Sequence, residues 1–234
     1  MNTCIRVMLA AGLATLAIAP ARATERSVPD TMAQRALACT GCHGPQGRSR
    51  PSGYVPRLAG KPSGYLLAQL QAFRDGRRMH EGMAALLEPL DDGMLTALAE
   101  HFAALSVPYP APVRSTLGSA DAARARRLVV EGDAAHRIPA CSACHGRTLT
   151  GVAPQVPGLL GLPSDYLAAQ IGAWRTGHRR ARTPDCMGEI ANRLPAADVA
   201  LVARWLAAQP LPDDTHPADR PPDEFPMSCG GLSR

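Results

Sequence analysis

Cys39-Thr40-Gly41-Cys42-His43-Gly44 recurs as Cys141-Ser142-Ala143-Cys144-His145-Gly146, 102 residues further along the chain. Two thiols three positions apart can lie on one turn of a short helix, with the following histidine directly beside them. Zinc ribbons and redox dithiols also use C-x-x-C, but neither requires a histidine immediately after the second cysteine. The attachment site of c-type haem does: both thiols bond to one porphyrin and the histidine binds its iron. The sequence therefore predicts two covalently bound haem c groups. One is held through Cys39 and Cys42 and the other through Cys141 and Cys144, with His43 and His145 as iron ligands.

The doubling extends beyond the cysteines. The run from Pro56 to Leu66 (PRLAGKPSGYL) answers to the run from Pro157 to Leu167 (PGLLGLPSDYL), and Gln69, Phe73, Arg74 and Gly76 answer to Gln170, Trp174, Arg175 and Gly177. The offset moves from 102 at the cysteines to 101 here and 104 at Leu90 and Leu194, so two small length changes separate the copies. This is a two-copy duplication. In the first copy Leu66, Leu70 and Phe73 are spaced i, i+4, i+7, as are Leu167, Ile171 and Trp174 in the second. A later stripe runs through Leu95, Leu98, Phe102 and Leu105, matched by Val199, Val202 and Leu206. Helical period without alternation predicts an all-α fold of two tandem domains, each a few short helices around one haem. A helix over 31–38 with Asp30 as its N-cap, and another over about 120–131, are expected to lead into the two C-x-x-C-H motifs.

Residues 1–23 read as an export signal: Arg6, then an apolar stretch from Val7 to Ala19, then the small-residue site Ala21-Arg22-Ala23. That stretch is too short to span a bilayer, so the remainder is expected to work outside the cytoplasm without crossing the membrane. Pro108, Pro110 and Pro112 make a stiff connector. The expected organisation is thus a first domain over 24–107, a linker over 108–116, a second domain over 117–209 and an extended, acidic tail over 210–234. The formal charge of +5 falls to +3 once Arg6 and Arg22 leave with the signal, and haem propionates would offset most of that. The basic balance therefore does not indicate nucleic-acid binding.

An iron held by one histidine needs a second axial ligand, and methionine is the first candidate. Met83 precedes Leu90 by seven residues, and Met187 precedes Leu194 by seven, each just before the last helix of its copy. This shared register selects Met83 and Met187. Met79 has no counterpart, because position 180 is Arg, and His80 and His178 lie in arginine-rich stretches expected to be solvated. Pro56 and Pro157 follow the proximal histidines by 13 and 12 residues; a carbonyl there could accept the histidine's ring N–H, or the prolines could simply break a loop.

Cys186 and Cys229 remain. In an exported chain a disulfide between them is the economical reading, worth about 4 kcal/mol in the chain-entropy model, and it would pin the tail beside the second haem. The alternative makes Cys186 an iron ligand in place of Met187. Arg74, Arg77 and Arg78 precede Met83 as Arg175, Arg179, Arg180 and Arg182 precede Met187; such runs are ordinarily a solvated face, and could otherwise steer an acidic partner or clamp propionates.

Taken together, the two C-x-x-C-H-G segments, the P-x-L-x-G and Y-L-x-x-Q stretches and the paired methionines resemble the di-haem class I cytochromes c, most closely the cytochrome c4 family, over about residues 30–209. The resemblance implies a haem in each helical domain with His/Met ligation. It also implies a non-catalytic periplasmic shuttle that takes electrons from a quinol-oxidising complex or dehydrogenase to a terminal oxidase or reductase. Two other roles are compatible with the pattern: a haem subunit of a dehydrogenase, or a di-haem peroxidase or thiosulfate-oxidising enzyme, the last two requiring an open or unusually ligated iron.

Overall fold

The computed structural model describes residues 28–49, 54–222 and 224–232; the expected export signal over 1–23 lies outside them. In the first copy, α1 (Met32–Arg35) and α2 (Leu37–His43) are followed by α3 (Ser63–Arg74), α4 (Glu81–Leu87) and α5 (Asp92–Ala103). The second copy repeats the plan with α6 (Ser119–Val130), α7 (Cys141–His145), α8 (Ser164–Arg175), α9 (Cys186–Arg193) and α10 (Ala196–Ala207). Between α7 and α8, the two-residue strands β1 (Gly151–Val152) and β2 (Val156–Pro157) pair antiparallel.

Helix starts follow local chemistry. Asp91 caps α5 by accepting the Met94 N–H at 2.7 Å, and α3, α8 and α10 are each preceded by a proline that cannot extend them backwards. The first helix departs from expectation. Thr31, not Asp30, is its N-cap, because the Asp30 carboxylate is drawn into a bidentate pair with Arg35 at 2.6 Å and 2.6 Å. The chain also breaks at Ala36 and again after α6, so each C-x-x-C-H forms its own short helix instead of ending a longer one. Gly44 and Gly146 follow these helices at φ 76° and 85°, a conformation that costs a residue with a Cβ free energy; the glycine after each histidine is what lets the chain turn away.

Each copy has its own core. In the first, Leu66 of α3 packs against Leu98, Ala99 and Phe102 of α5, with Ala36 closing one end. In the second, Tyr166 and Leu167 of α8 meet Val202 and Leu206 of α10 and Leu128 and Val129 of α6. Leu66, Leu70, Leu98, Phe102 and Leu105, and likewise Leu167, Ile171, Val199, Val202 and Leu206, are stripe residues read from spacing, whereas Phe73 and Trp174 leave the cores to lie under the guanidiniums of Arg78 and Arg179, 4.5 Å and 3.9 Å from their ring centres. Residues 105–118 are without helix or strand and connect the two. Arg57 fastens this connector, donating to the carbonyls of Val107 and Pro108 and lying 3.8 Å from the Tyr109 ring centre. No helix among the described residues is long and apolar enough to cross a membrane.

Candidate haem sites

The geometry of the proximal histidines is the same in both copies. His43 Nδ1 lies 2.7 Å from the Pro56 carbonyl oxygen, and His145 Nδ1 lies 2.7 Å from that of Pro157. A carbonyl only accepts, so Nδ1 carries the proton in each ring and Nε2 keeps its lone pair for a metal. Burial pushes both imidazoles below their ordinary pKa, against the carbonyl bond, which favours the neutral ligand form. Pro56 and Pro157 thus supply the acceptors that fix tautomer and ring orientation.

The cysteines fit the attachment chemistry better than the alternatives. Cys39, Cys42, Cys141 and Cys144 are unpaired thiols. Burial pushes the Cys39, Cys141 and Cys144 thiols up, Cys141 to about 11. A reactive dithiol needs the opposite shift. Among the described residues no three His, Cys, Asp or Glu side chains are grouped so as to hold a metal ion. Neutral S–H groups that can add across porphyrin vinyl bonds, beside an imidazole with its Nε2 available, are the donor set of covalently bound haem c.

Met83 and Met187, the residues expected as second axial ligands, are half-buried in the first turns of α4 and α9. His80 is occupied otherwise: its Nδ1 caps α4 by accepting the Met83 N–H at 3.2 Å. His178 Nδ1 lies 2.8 Å from Thr176 Oγ1 at the surface, and Met79 is 58% exposed. Cys186 is joined to Cys229 in a disulfide, Cα atoms 5.4 Å apart, which removes its thiolate as an iron ligand.

The arginine-rich runs do not form the uniformly solvated faces expected from sequence. Arg78 and Arg179 are buried, 8% and 6% exposed, where the two copies meet. Arg78 donates to Gln170 Oε1 at 2.6 Å, Tyr166 Oη at 3.2 Å and Gln69 Oε1 at 3.0 Å. Arg179 mirrors it, donating to Gln69 Oε1 at 2.9 Å, Tyr65 Oη at 3.2 Å and Gln170 Oε1 at 2.9 Å. Arg78 and Arg179 form an antiparallel bridge, flanked by Met79 N–H to His178 O and Arg180 N–H to Arg77 O, both 2.8 Å. Each of these bonds has a counterpart with the copies exchanged, the pattern of a two-fold interface written into one chain. Arg74 and Arg175 do a second equivalent job, each donating to the carbonyl of the leucine before the final helix, Leu90 and Leu194.

Lys61 completes this polar centre. Its Nζ donates to the Gly158 carbonyl across the interface at 2.9 Å, and burial lowers its pKa to about 8. Burial would raise the Tyr65 phenol, but the charges of Arg179, Arg78 and Lys61 together hold it below its ordinary value. Three buried cations with no carboxylate among their hydrogen-bond partners make the junction strongly electropositive, a setting suited to anionic groups such as haem propionates.

Known proteins agree with this geometry. A family profile described as "Cytochrome c" matches residues 32–98. The chain is 41% identical to the thiosulfate dehydrogenase electron acceptor of Thiomonas intermedia, over 75% of this chain and 80% of that one. It is 33% identical to cytochrome c4 of Pseudomonas aeruginosa, over 74% and 84%. Among solved structures, reduced recombinant cytochrome c4 from Pseudomonas stutzeri superposes with a TM-score of 0.64 at 27% identity, covering 76% of this chain and 96% of that one. The thiosulfate dehydrogenase TsdBA from Marichromatium purpuratum gives a TM-score of 0.66 at 36% identity; 74% of this chain is covered, and the match spans only 36% of the solved chain. With relatives this similar over most of their length, two C-x-x-C-H helices and two carbonyl-anchored histidines, the chain belongs to the di-haem class I cytochromes c of the cytochrome c4 type.

Proposed function

We propose that this chain is a periplasmic electron carrier whose donor is a thiosulfate-oxidising dehydrogenase and whose acceptor is a terminal oxidase or reductase. What carries the choice of donor is similarity to a protein named for that role over three quarters of this chain, joined to a fold match with a thiosulfate dehydrogenase. In this reading residues 1–23 direct export. The domains over 24–107 and 117–209 each hold a haem c, bound through Cys39 and Cys42 with His43 and Met83 on iron, and through Cys141 and Cys144 with His145 and Met187 on iron.

Each haem c, when bound, supplies an iron that takes up and releases one electron. The chain's own residues keep that event simple. Pro56 and Pro157 hold the imidazoles in one tautomer and orientation, so no proton need move at the proximal side. Thioether donors from Met83 and Met187 would favour the ferrous state and raise the potential. The Arg78 and Arg179 interface fixes one copy against the other, so the electron passes between domains of constant relative placement.

A second reading has a specific observation behind it: the solved thiosulfate dehydrogenase carries a segment like this chain as about a third of its length, which favours a tightly held electron-transfer subunit. One experiment addresses both. The oxidised protein, mixed with a catalytic amount of a thiosulfate dehydrogenase and excess thiosulfate, is expected to accept two electrons per chain, and none when that enzyme is left out. Failure to reduce under these conditions, in a protein that dithionite reduces fully, would overturn the proposed donor. Co-elution of the two proteins through gel filtration would select the subunit over the shuttle. The rate of reduction is also expected to fall as salt rises, because Arg180 and Arg182 remain exposed beside α9; a flat profile counts against electrostatic steering.

A further inference from the structure

The two copies differ most after their last helices. Beyond α5 the chain departs along the connector, but beyond α10 it turns back across its own domain. Leu211 packs on the second core, and Ala218 then joins β1: its N–H donates to the Gly151 carbonyl at 3.0 Å and its carbonyl accepts the Ala153 N–H at 2.8 Å. β1 is paired with β2, whose Pro157 carbonyl orients His145. Further on, the Gly230 N–H donates to the Pro184 carbonyl at 2.9 Å, and Cys229 is bonded to Cys186. A Cβ at Gly230 would sit 2.0 Å from the Thr183 carbonyl oxygen, so only glycine allows the tail to lie this close to the segment before α9. One stretch of chain therefore touches the wall that positions His145 and is covalently fixed to the residue preceding Met187. In the first copy the position beside Met83 is Gly82, which has no side chain to bond.

We propose that the C-terminal tail and its Cys186–Cys229 disulfide act as a clasp on the second haem pocket, so that the second iron holds its methionine against exchange while the first releases it more readily. This rests on the assignment of Met83 and Met187 as iron ligands. A methionine leaves iron only when the segment carrying it opens locally, and a covalent tie to a tail that is itself bonded into β1 restricts that opening. Among the described residues α4 has no equivalent tie: its first turn is held by the His80 cap, and the segment before it by the bridge to the second copy. The two haems then differ in accessibility to small ligands, although their own residues are nearly the same.

The test is imidazole exchange at the ferric irons of the whole holoprotein, followed by stopped-flow absorbance, with the methionine methyl resonances of the reduced protein counted by NMR. The wild type is expected to show two phases of equal amplitude, at least about tenfold apart, the ratio produced by about 1.4 kcal/mol of added resistance to opening. Met83→His should abolish the fast phase, which assigns it to the first haem. In the double variant Cys186→Ser, Cys229→Ser the slow phase should accelerate about tenfold and merge with the fast one, while both haems stay covalently attached. Should that variant not fold, the disulfide is reduced in the folded wild type with a phosphine and the thiols are alkylated, with the same result expected. A slow phase unchanged by loss of the disulfide, or a single phase in the wild type, would overturn the clasp alone. Fewer than two methionine resonances in the wild type would overturn the ligand assignment, and the clasp with it.

Discussion

Replacing Met187 by histidine is expected to lower the midpoint potential of one haem by on the order of 0.2 V and to leave the other where it was, and Met83→His to do the same to the opposite haem. The sign follows from ligand character. A thioether sulfur stabilises the electron-rich ferrous iron, whereas a second imidazole is the better donor to ferric iron, so the exchange favours oxidation. The separateness follows from the fold, since α4 packs on α3 of the first copy and α9 on α8 of the second, and their methionines sit in the first turns of different helices. An optical redox titration with haem counted per chain resolves the effect as a shift of half the absorbance change. A variant in which both halves move together would mean that the haems are not independently ligated. A variant in which neither moves would remove Met83 or Met187 from the iron. Met79→Leu serves as the comparison: it lies in the same arginine-rich segment but is largely exposed, and it is expected to shift neither potential.

Much of this was legible before any coordinates, because covalent chemistry and helical packing both write themselves in fixed spacing. Two thiols and an imidazole must be adjacent to serve one porphyrin, and Leu66 and Leu70, like Leu98 and Phe102, must recur at helical intervals to face one core. The tail is harder to read: Ala218 is an ordinary residue whose role comes only from the backbone of β1, and Gly230 matters through a close approach that no local pattern announces. Arg78 and Arg179 were hidden for a different reason. An arginine-rich run is normally solvated, and only the facing of the two copies gives these guanidiniums acceptors in the interior. A signal was nevertheless present. Tyr65, Gln69 and Arg78 recur as Tyr166, Gln170 and Arg179 at the same 101-residue offset as the apolar stripes. Polar residues repeated in register with core residues indicate a surface each copy presents to the other.

That reciprocity makes the interface behave as a unit. Changing Arg78 to Met removes the bond to Tyr166, but Gln69 Oε1 and Gln170 Oε1 both still accept from Arg179 at 2.9 Å, and one of two neighbouring positive charges is gone. The single variant, and likewise Arg179→Met, is therefore expected to lose little stability. In the double variant neither glutamine retains a guanidinium donor, and buried acceptors left unpaired cost far more than the bonds were worth. The double change should cost about 1–3 kcal/mol beyond the sum of the singles, the coupling expected of residues in one hydrogen-bond network. Denaturant unfolding of the four proteins with haem bound measures this as a double-mutant cycle. Electron transfer between the haems, timed after photoreduction of one of them, should slow in the double variant and stay near wild type in each single one, because the bonds these guanidiniums make across the junction are all lost only when both arginines are replaced. Strict additivity would mean that each arginine binds its own anion independently, and that the two-fold arrangement of donors around Gln69 and Gln170 contributes nothing to holding the copies together.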